Sequence, residues 1–300
     1  VRVLIVGGDG VIGAALADHF LALSAEVYGT TRRLSDGHDL LRVNLRHYQK
    51  IFWDLTIIDK DFSFLPDVDL VYICAAMARF ADCRENPDLA WRVNVEAPAL
   101  LAKHYANKNA RVVFLSTCAV LGCDQPGHGI DSPVQPGSLY GIFKAEAEKL
   151  ILETGAGASV VRLTKVLLPN MPLLLGWITA LARCETIEAF SDMRIAPLHL
   201  SSTIQGLAAL QDHEGGVYHI SGSKDISYAH AAQYLASFPG LNCGDVREIT
   251  AASKGIPEGD IMRWTALDVS RLTKLCGWEA PDPLMVIDKV FKSAITAVQT

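Results

Sequence analysis

A doubly wound parallel α/β sheet is predicted for this chain, on three observations. The chain opens on Val1-Arg-Val-Leu-Ile-Val6, an apolar, β-branched run suited to a strand buried on both faces. That run enters a glycine-rich turn, Gly7-Gly8-Asp9-Gly10-Val11-Ile12-Gly13, and then a helical stretch over 14–24. Beyond it, strand-like and helix-like segments alternate as far as Val160-Val-Arg162, the pattern of parallel strands joined by crossover helices.

The first βαβ unit carries the strongest local signal. Glycines at 7, 10 and 13 satisfy G-x-x-G-x-x-G, and glycines at 8, 10 and 13 satisfy G-x-G-x-x-G, so two registers stay open. Either has the same physical meaning. Glycine permits the tight turn, lets backbone approach a pyrophosphate, and lets the helix pack close on the strand; the helix N-terminus offers free N–H groups to phosphate. Gly7, Gly10, Val11, Ile12 and Gly13 are therefore expected to hold a dinucleotide.

A second strand is expected over 26–30. Folds that take NAD place an acid at its end for the ribose 2′-hydroxyl. Here the chain reads Tyr28-Gly-Thr-Thr-Arg-Arg33, without a carboxylate. Arg32 and Arg33, with Thr30 and Thr31 as hydroxyl donors, suit the 2′-phosphate of NADP, because guanidinium makes forked bonds to phosphate. The expected cofactor is NADP(H).

A third strand at Lys50-Ile-Phe-Trp-Asp54-Leu55 ends in an acid that could accept from adenine or cap the next turn. A fourth, Asp69-Leu-Val-Tyr-Ile-Cys74, runs into Ala75 and Ala76, small enough for close backbone approach. A helix over 87–104 contains Asn94, a fifth strand over 110–115 breaks at Ser116-Thr117, and a Pro/Gly-rich loop over 126–137 precedes the next helix. That helix holds Tyr140-Gly-Ile-Phe-Lys144, with Gly137-Ser138 as its cap and strong helix formers over 143–150. Residues at i and i+4 share a face, so a phenol and an ammonium would point into one volume, and the positive charge would lower the phenol pKa toward neutrality. All these positions fall at the carboxyl ends of strands, where ligands of doubly wound sheets sit.

Composition excludes several classes. The net charge of −6 gives no global attraction to nucleic acid or anionic membrane. The stretch 166–182 is apolar, but Pro169, Asn170 and Pro172 interrupt it short of the ~20 residues a bilayer span needs. Seven scattered cysteines, at 74, 83, 118, 123, 184, 243 and 276, include no C-x-x-C pair, which argues against a disulfide framework or structural zinc. With no signal-peptide layout at the opening run, a cytoplasmic location is expected.

Taken together, the glycine turn, Asp54-Leu55, Cys74-Ala75-Ala76, Asn86-Pro-Asp-Leu-Ala-Trp-Arg-Val-Asn94, Leu115-Ser-Thr117 and Tyr140-x-x-x-Lys144 resemble the extended short-chain dehydrogenase/reductases. The likeness is to the nucleotide-sugar epimerase, dehydratase and ketoreductase group, and it extends past the sixth strand to Gly277-Trp278. It implies a Rossmann domain over 1–167 and 200–236 and a substrate-binding lobe over 168–199 and 237–300. It implies that Tyr140 is the catalytic acid/base, that Lys144 holds the nicotinamide ribose, and that Thr117 bonds the reacting oxygen. It further implies substrate contacts at Met77, Arg79, Arg194 and His199, a nucleotide-linked sugar as partner, and a homodimer through 88–105 and 139–153. The family's tyrosine before Gly122 is Leu121 here, a departure that leaves local packing or sugar contacts in doubt.

The resemblance also ranks the reactions. Dehydratases need a carboxylic acid beside the catalytic Ser or Thr, and Cys118-Ala119 stand there instead. Most 4-epimerases resemble NAD users with an acid after the second strand. An NADPH-dependent 4-ketoreductase of the dTDP-4-dehydrorhamnose reductase type fits best, in a setting of polysaccharide or deoxysugar biosynthesis. A 4-epimerase with tightly bound nucleotide is the alternative, and a non-enzymatic NADP-sensing protein the third reading.

Overall fold

The computed structural model describes residues 1–32, 48–57 and 61–299. By packing, the chain divides into two units. The first comprises Val1–Thr117, Leu139–Arg162 and Ile204–Tyr218; the second comprises Cys118–Ser138, Leu163–Thr203 and His219–Thr300. Residues 118–138, 163–167, 200–203 and 219–236, expected in the Rossmann part, group with the second unit.

The first unit is built on β1 (Arg2–Val6), α1 (Val11–Ala22), β2 (Glu26–Thr31), β3 (Gln49–Phe52) and β4 (Leu70–Ile73). These are followed by α2 (Phe80–Glu85), α3 (Pro87–Trp91), α4 (Ala97–Ala106), β5 (Arg111–Thr117), α5 (Leu139–Leu152) and β6 (Ala158–Leu163). Among the described residues the sheet has seven strands, in the order β3-β2-β1-β4-β5-β6 and then Gly216–Ile220. The pairs β1–β2, β1–β4, β2–β3 and β4–β5 all run parallel. This is the Rossmann-like arrangement, with strand order reversing on either side of β1. Val3 to Val6, and Leu70 to Ile73, are almost wholly buried, which explains why these strands read as continuous apolar runs rather than alternating ones.

Two elements differ from the sequence reading. The helix expected over 87–104 is interrupted by a π-helical turn, Arg92–Glu96, that carries Asn94 into the interior. Such turns put one extra residue into a helix and recur at functional positions. The fifth strand continues through Ser116 to Thr117 instead of breaking before them.

The second unit has its own core, in which Trp177, Ile178 and Leu181 pack with Ile187, Leu235, Ile287 and Phe291. Its strands Thr186–Phe190 and Asp245–Ile249 pair in parallel. That pairing corrects the expectation from cysteine spacing: Cys184 and Cys243, 59 residues apart in sequence, form a disulfide with Cα atoms 4.8 Å apart. Both lie just before the paired strands, a juxtaposition no local motif announces. Among the described residues no helix is long and apolar enough to cross a membrane.

Candidate functional site

At the carboxyl ends of β1 to β4 lies a cavity of about 490 Å³. Gly7 and Gly10 of the glycine turn line it, together with Thr30 and Arg32 from the end of β2 and Asp54 and Leu55 after β3. Ala75, Ala76 and Met77 after β4 complete the expected members of its wall. Gly7 has φ +86°, and a Cβ there would meet the Ala75 nitrogen at 2.9 Å, so only glycine fits. A Cβ on Gly13 would lie 2.3 Å from the Gly7 carbonyl oxygen, so that glycine sets how closely α1 meets the turn. Val11, Ile12 and Gly13 stand in the first turn of α1, where N–H groups have no i−4 carbonyl to bond and can face an anion. The cradle fits the diphosphate of a dinucleotide.

Each neighbour has a definable task. Thr30 Oγ1 accepts from the Gly7 N–H at 2.9 Å, so it braces the turn from within the wall. Arg32 is exposed at the cavity edge, while Arg33 lies outside the described residues. Asp54 lines the cavity and also caps its own turn, accepting from the Thr56 N–H at 2.9 Å. Asn94 is absent from the wall: its amide oxygen accepts from the Met77 N–H and its amide nitrogen donates to the Met77 carbonyl, both at 3.0 Å. It thus clamps the segment after β4 as a neighbouring strand would. Met77 is held by that clamp, and Arg79 is exposed at the start of α2.

Thr117 ends β5, and Tyr140 and Lys144 stand one turn apart on α5, which packs against that strand. Tyr140 is 8% exposed, with its ring 5.6 Å from that of Phe80. Lys144 is 1% exposed; its Nζ donates to the Leu115 carbonyl at 2.6 Å and lies 3.6 Å from the Phe114 ring centroid. Burial pulls the Lys144 amine down to about 7, against the opposing pull of the Glu148 carboxylate. Cys74 belongs to the cavity wall, and burial holds its thiol up at about 12, so it is neutral; Thr117, Tyr140 and Lys144 are not among the residues that line this cavity.

Beneath Lys144 lies a buried polar network that sequence reasoning missed. Glu148 accepts from Arg162 at 2.8 Å and 3.2 Å and from the Ser116 hydroxyl, and all three side chains are nearly inaccessible. Its signal was present: Glu148 follows Lys144 by one helical turn, and Arg162 is a charge inside an apolar strand. Thr31, expected beside the arginines, lines the cavity as well, and Asp9, Trp53, Cys74 and Val93 join it without a local sequence signal for that role.

In the second unit, the Arg194 guanidinium carbon sits 4.0 Å from the centroid of the Trp264 ring. His199 Nδ1 lies 2.8 Å from Ser201 Oγ and accepts from the Ser201 N–H, at the start of the helix Leu200–Ala208. Burial, then Lys289, lowers its pKa. This unit also contains an apolar cavity of about 200 Å³, walled by Leu167, Met171, Trp177 and Phe291 with Lys165 and Tyr228 as its polar members. Nothing in the spacing of 166–182 announced it.

The family model described as RmlD substrate binding domain matches residues 1–280. Methionine adenosyltransferase 2 subunit beta of Bos taurus is 26% identical over 299 residues, covering 91% of this chain and 82% of that protein. dTDP-4-dehydrorhamnose reductase of Mycolicibacterium smegmatis is 29% identical over 164 residues, covering 54% of this chain and 44% of that protein. Among solved structures, MoeE5 in complex with UDP-glucose and NAD superposes with a TM-score of 0.80 at 21% identity, over 99% of this chain and 100% of that one. dTDP-4-dehydrorhamnose reductase from Bacillus anthracis, in complex with NADP, superposes with a TM-score of 0.78 at 18% identity, over 97% and 99%. The two solved structures share the fold and hold different nicotinamide dinucleotides.

Proposed function

The chain belongs to the RmlD substrate binding domain family, and on that premise we propose that it is an NADP(H)-dependent reductase of a 4-keto nucleotide-linked sugar. The observation that carries this reading is the pairing of Tyr140 and Lys144 one turn apart on α5, packed against the strand that ends in Thr117; the glycine-turn cavity at the carboxyl ends of β1 to β4 supports it. When bound, the dinucleotide supplies the hydride. Tyr140 donates a proton to the carbonyl oxygen as it becomes an alkoxide, and Thr117 holds that oxygen by a hydrogen bond. The glycine turn and the first turn of α1 hold the diphosphate, with Arg32 toward the adenosine end. Lys144, anchored on the Leu115 carbonyl one helical turn from Tyr140, supplies positive charge there in its protonated form. No carboxylic acid follows Thr117 to expel water, since Cys118 and Ala119 stand there, which favours ketone reduction over dehydration.

The test is a panel of dTDP-, GDP- and UDP-linked 4-keto-6-deoxy sugars mixed with the protein and NADPH. Loss of the reduced-nicotinamide absorbance with at least one of them, abolished in Tyr140→Phe while NADPH still binds, is the expected result. Turnover persisting in that variant overturns the role of Tyr140.

A second reading is favoured by one finding: a relative that covers 91% of the chain is named as a subunit of methionine adenosyltransferase 2. In that reading the chain binds NADP(H) as a sensor and turns over nothing. It predicts dinucleotide binding without consumption across the whole panel.

A further inference from the structure

The end of β2 offers no acid in sequence, yet the fold brings one there. Asp9, in the middle of the glycine turn, lines the same cavity as Thr31 and Arg32. One carboxylate oxygen accepts from the Thr31 hydroxyl, and the other lies 3.2 Å from the ammonium of Lys50 on β3. Tyr48 steadies the turn beside it, donating from its hydroxyl to the Gly8 carbonyl at 3.1 Å. Asp9 is therefore pinned from β2 and from β3 at the edge where an adenosine ribose would be held. A carboxylate there accepts from a ribose 2′-hydroxyl and repels a 2′-phosphate, whereas Lys50 and Arg32 attract that phosphate.

We propose that Asp9 is the acidic discriminator of the adenosine ribose, supplied by the glycine turn instead of the strand end, with Lys50 as its opposing partner. This rests on the reading of the cavity as a dinucleotide site, and it sets Asp9 against the preference for NADP(H) that Arg32 and Lys50 supply. The opposed charges limit the site to a modest preference between the two dinucleotides, and each charge biases it in its own direction.

Equilibrium binding of NADH and NADPH to the full chain, followed by calorimetry, tests this without reference to turnover. Asp9→Asn keeps an acceptor for Thr31 and removes the charge. It should shift the ratio of the two dissociation constants toward NADPH by roughly tenfold. Lys50→Gln, at an exposed strand residue, should shift the ratio the opposite way and serves if the first variant does not fold. Shifts below about twofold in both variants, with both dinucleotides still bound, overturn the role of Asp9 and leave the dinucleotide site standing. Failure of the wild-type chain to bind either one overturns the cofactor reading and this inference together.

Discussion

Lys144 donates to the carbonyl of Leu115 across 2.6 Å, from a side chain that is 1% exposed. The lysine four residues after Tyr140 is thus a buried cation anchored to the backbone of β5, and its environment determines how it titrates. Burial pulls its amine down to about 7 from an ordinary 10.5.

The first prediction follows from that depression. In the unfolded chain Lys144 keeps its proton up to about 10.5, whereas in the folded chain it releases it near 7. Below pH 7 both states are protonated and the burial penalty is fully present. Between the two values the unfolded state binds more protons, so stability rises with pH. Relative to Lys144→Met, the wild type should gain up to about 2 kcal/mol of unfolding free energy between pH 7 and pH 9. Urea titrations at the two pH values measure it, and parallel pH dependence of the two proteins would contradict the picture.

A second prediction concerns the pair beneath it. Glu148 and Arg162 are both nearly inaccessible and joined at 2.8 Å. Removing one partner leaves the other as an uncompensated buried charge, which costs about 3–5 kcal/mol. Glu148→Ala and Arg162→Ala should each lose that much, and the double variant much less than their sum. Simple additivity in denaturant unfolding would mean that the two residues act independently.

How far these features were legible in the sequence depends on their range. β1, the glycine turn and the Tyr140–Lys144 spacing are local patterns, and the fold preserves them because each is set within a few residues. The Asn94 clamp depends on a π turn inside an otherwise helical run, and periodicity does not reveal one extra residue. The Cys184–Cys243 disulfide and the approach of Asp9 to Thr31 arise from strand pairing and chain return. No acid directly follows β2 in sequence, whereas the cavity gathers residues from several elements.

A third prediction separates two glycines of the turn. A Cβ on Gly13 would lie 2.3 Å from the Gly7 carbonyl oxygen, and that atom is backbone, which has little room to move. A Cβ on Gly10 would meet the same oxygen at 3.2 Å, a contact that a small shift relieves. Gly13→Ala should therefore destabilise by about 1–3 kcal/mol and lose most dinucleotide affinity, with Gly10→Ala clearly milder on stability. Thermal unfolding and dinucleotide titration of both variants check the ranking, and equal losses would contradict it.

The last prediction uses the chemistry of an amide. Asn94 both accepts from and donates to Met77, at 3.0 Å in each direction, from a wholly buried position. Asn94→Asp is nearly isosteric and keeps the acceptor, but it places a second oxygen against the Met77 carbonyl and buries a charge or forces the acid to stay protonated. Asn94→Ala removes both bonds, which leaves the Met77 N–H without this acceptor and its carbonyl with only the weak Cys83 thiol donor at 3.3 Å. Each variant should lose about 2–4 kcal/mol of stability. The Asp variant alone should recover as pH falls, because protonation restores a donor toward the Met77 carbonyl. Ala75 and Ala76 lie in the segment this clamp holds, so dinucleotide affinity should fall with it in both variants and return with acid only in Asn94→Asp. Unfolding and dinucleotide titrations at pH 5 and pH 8 read both effects, and an Asp variant that fails to recover at the lower pH would show that packing, not donor geometry, makes this position an asparagine.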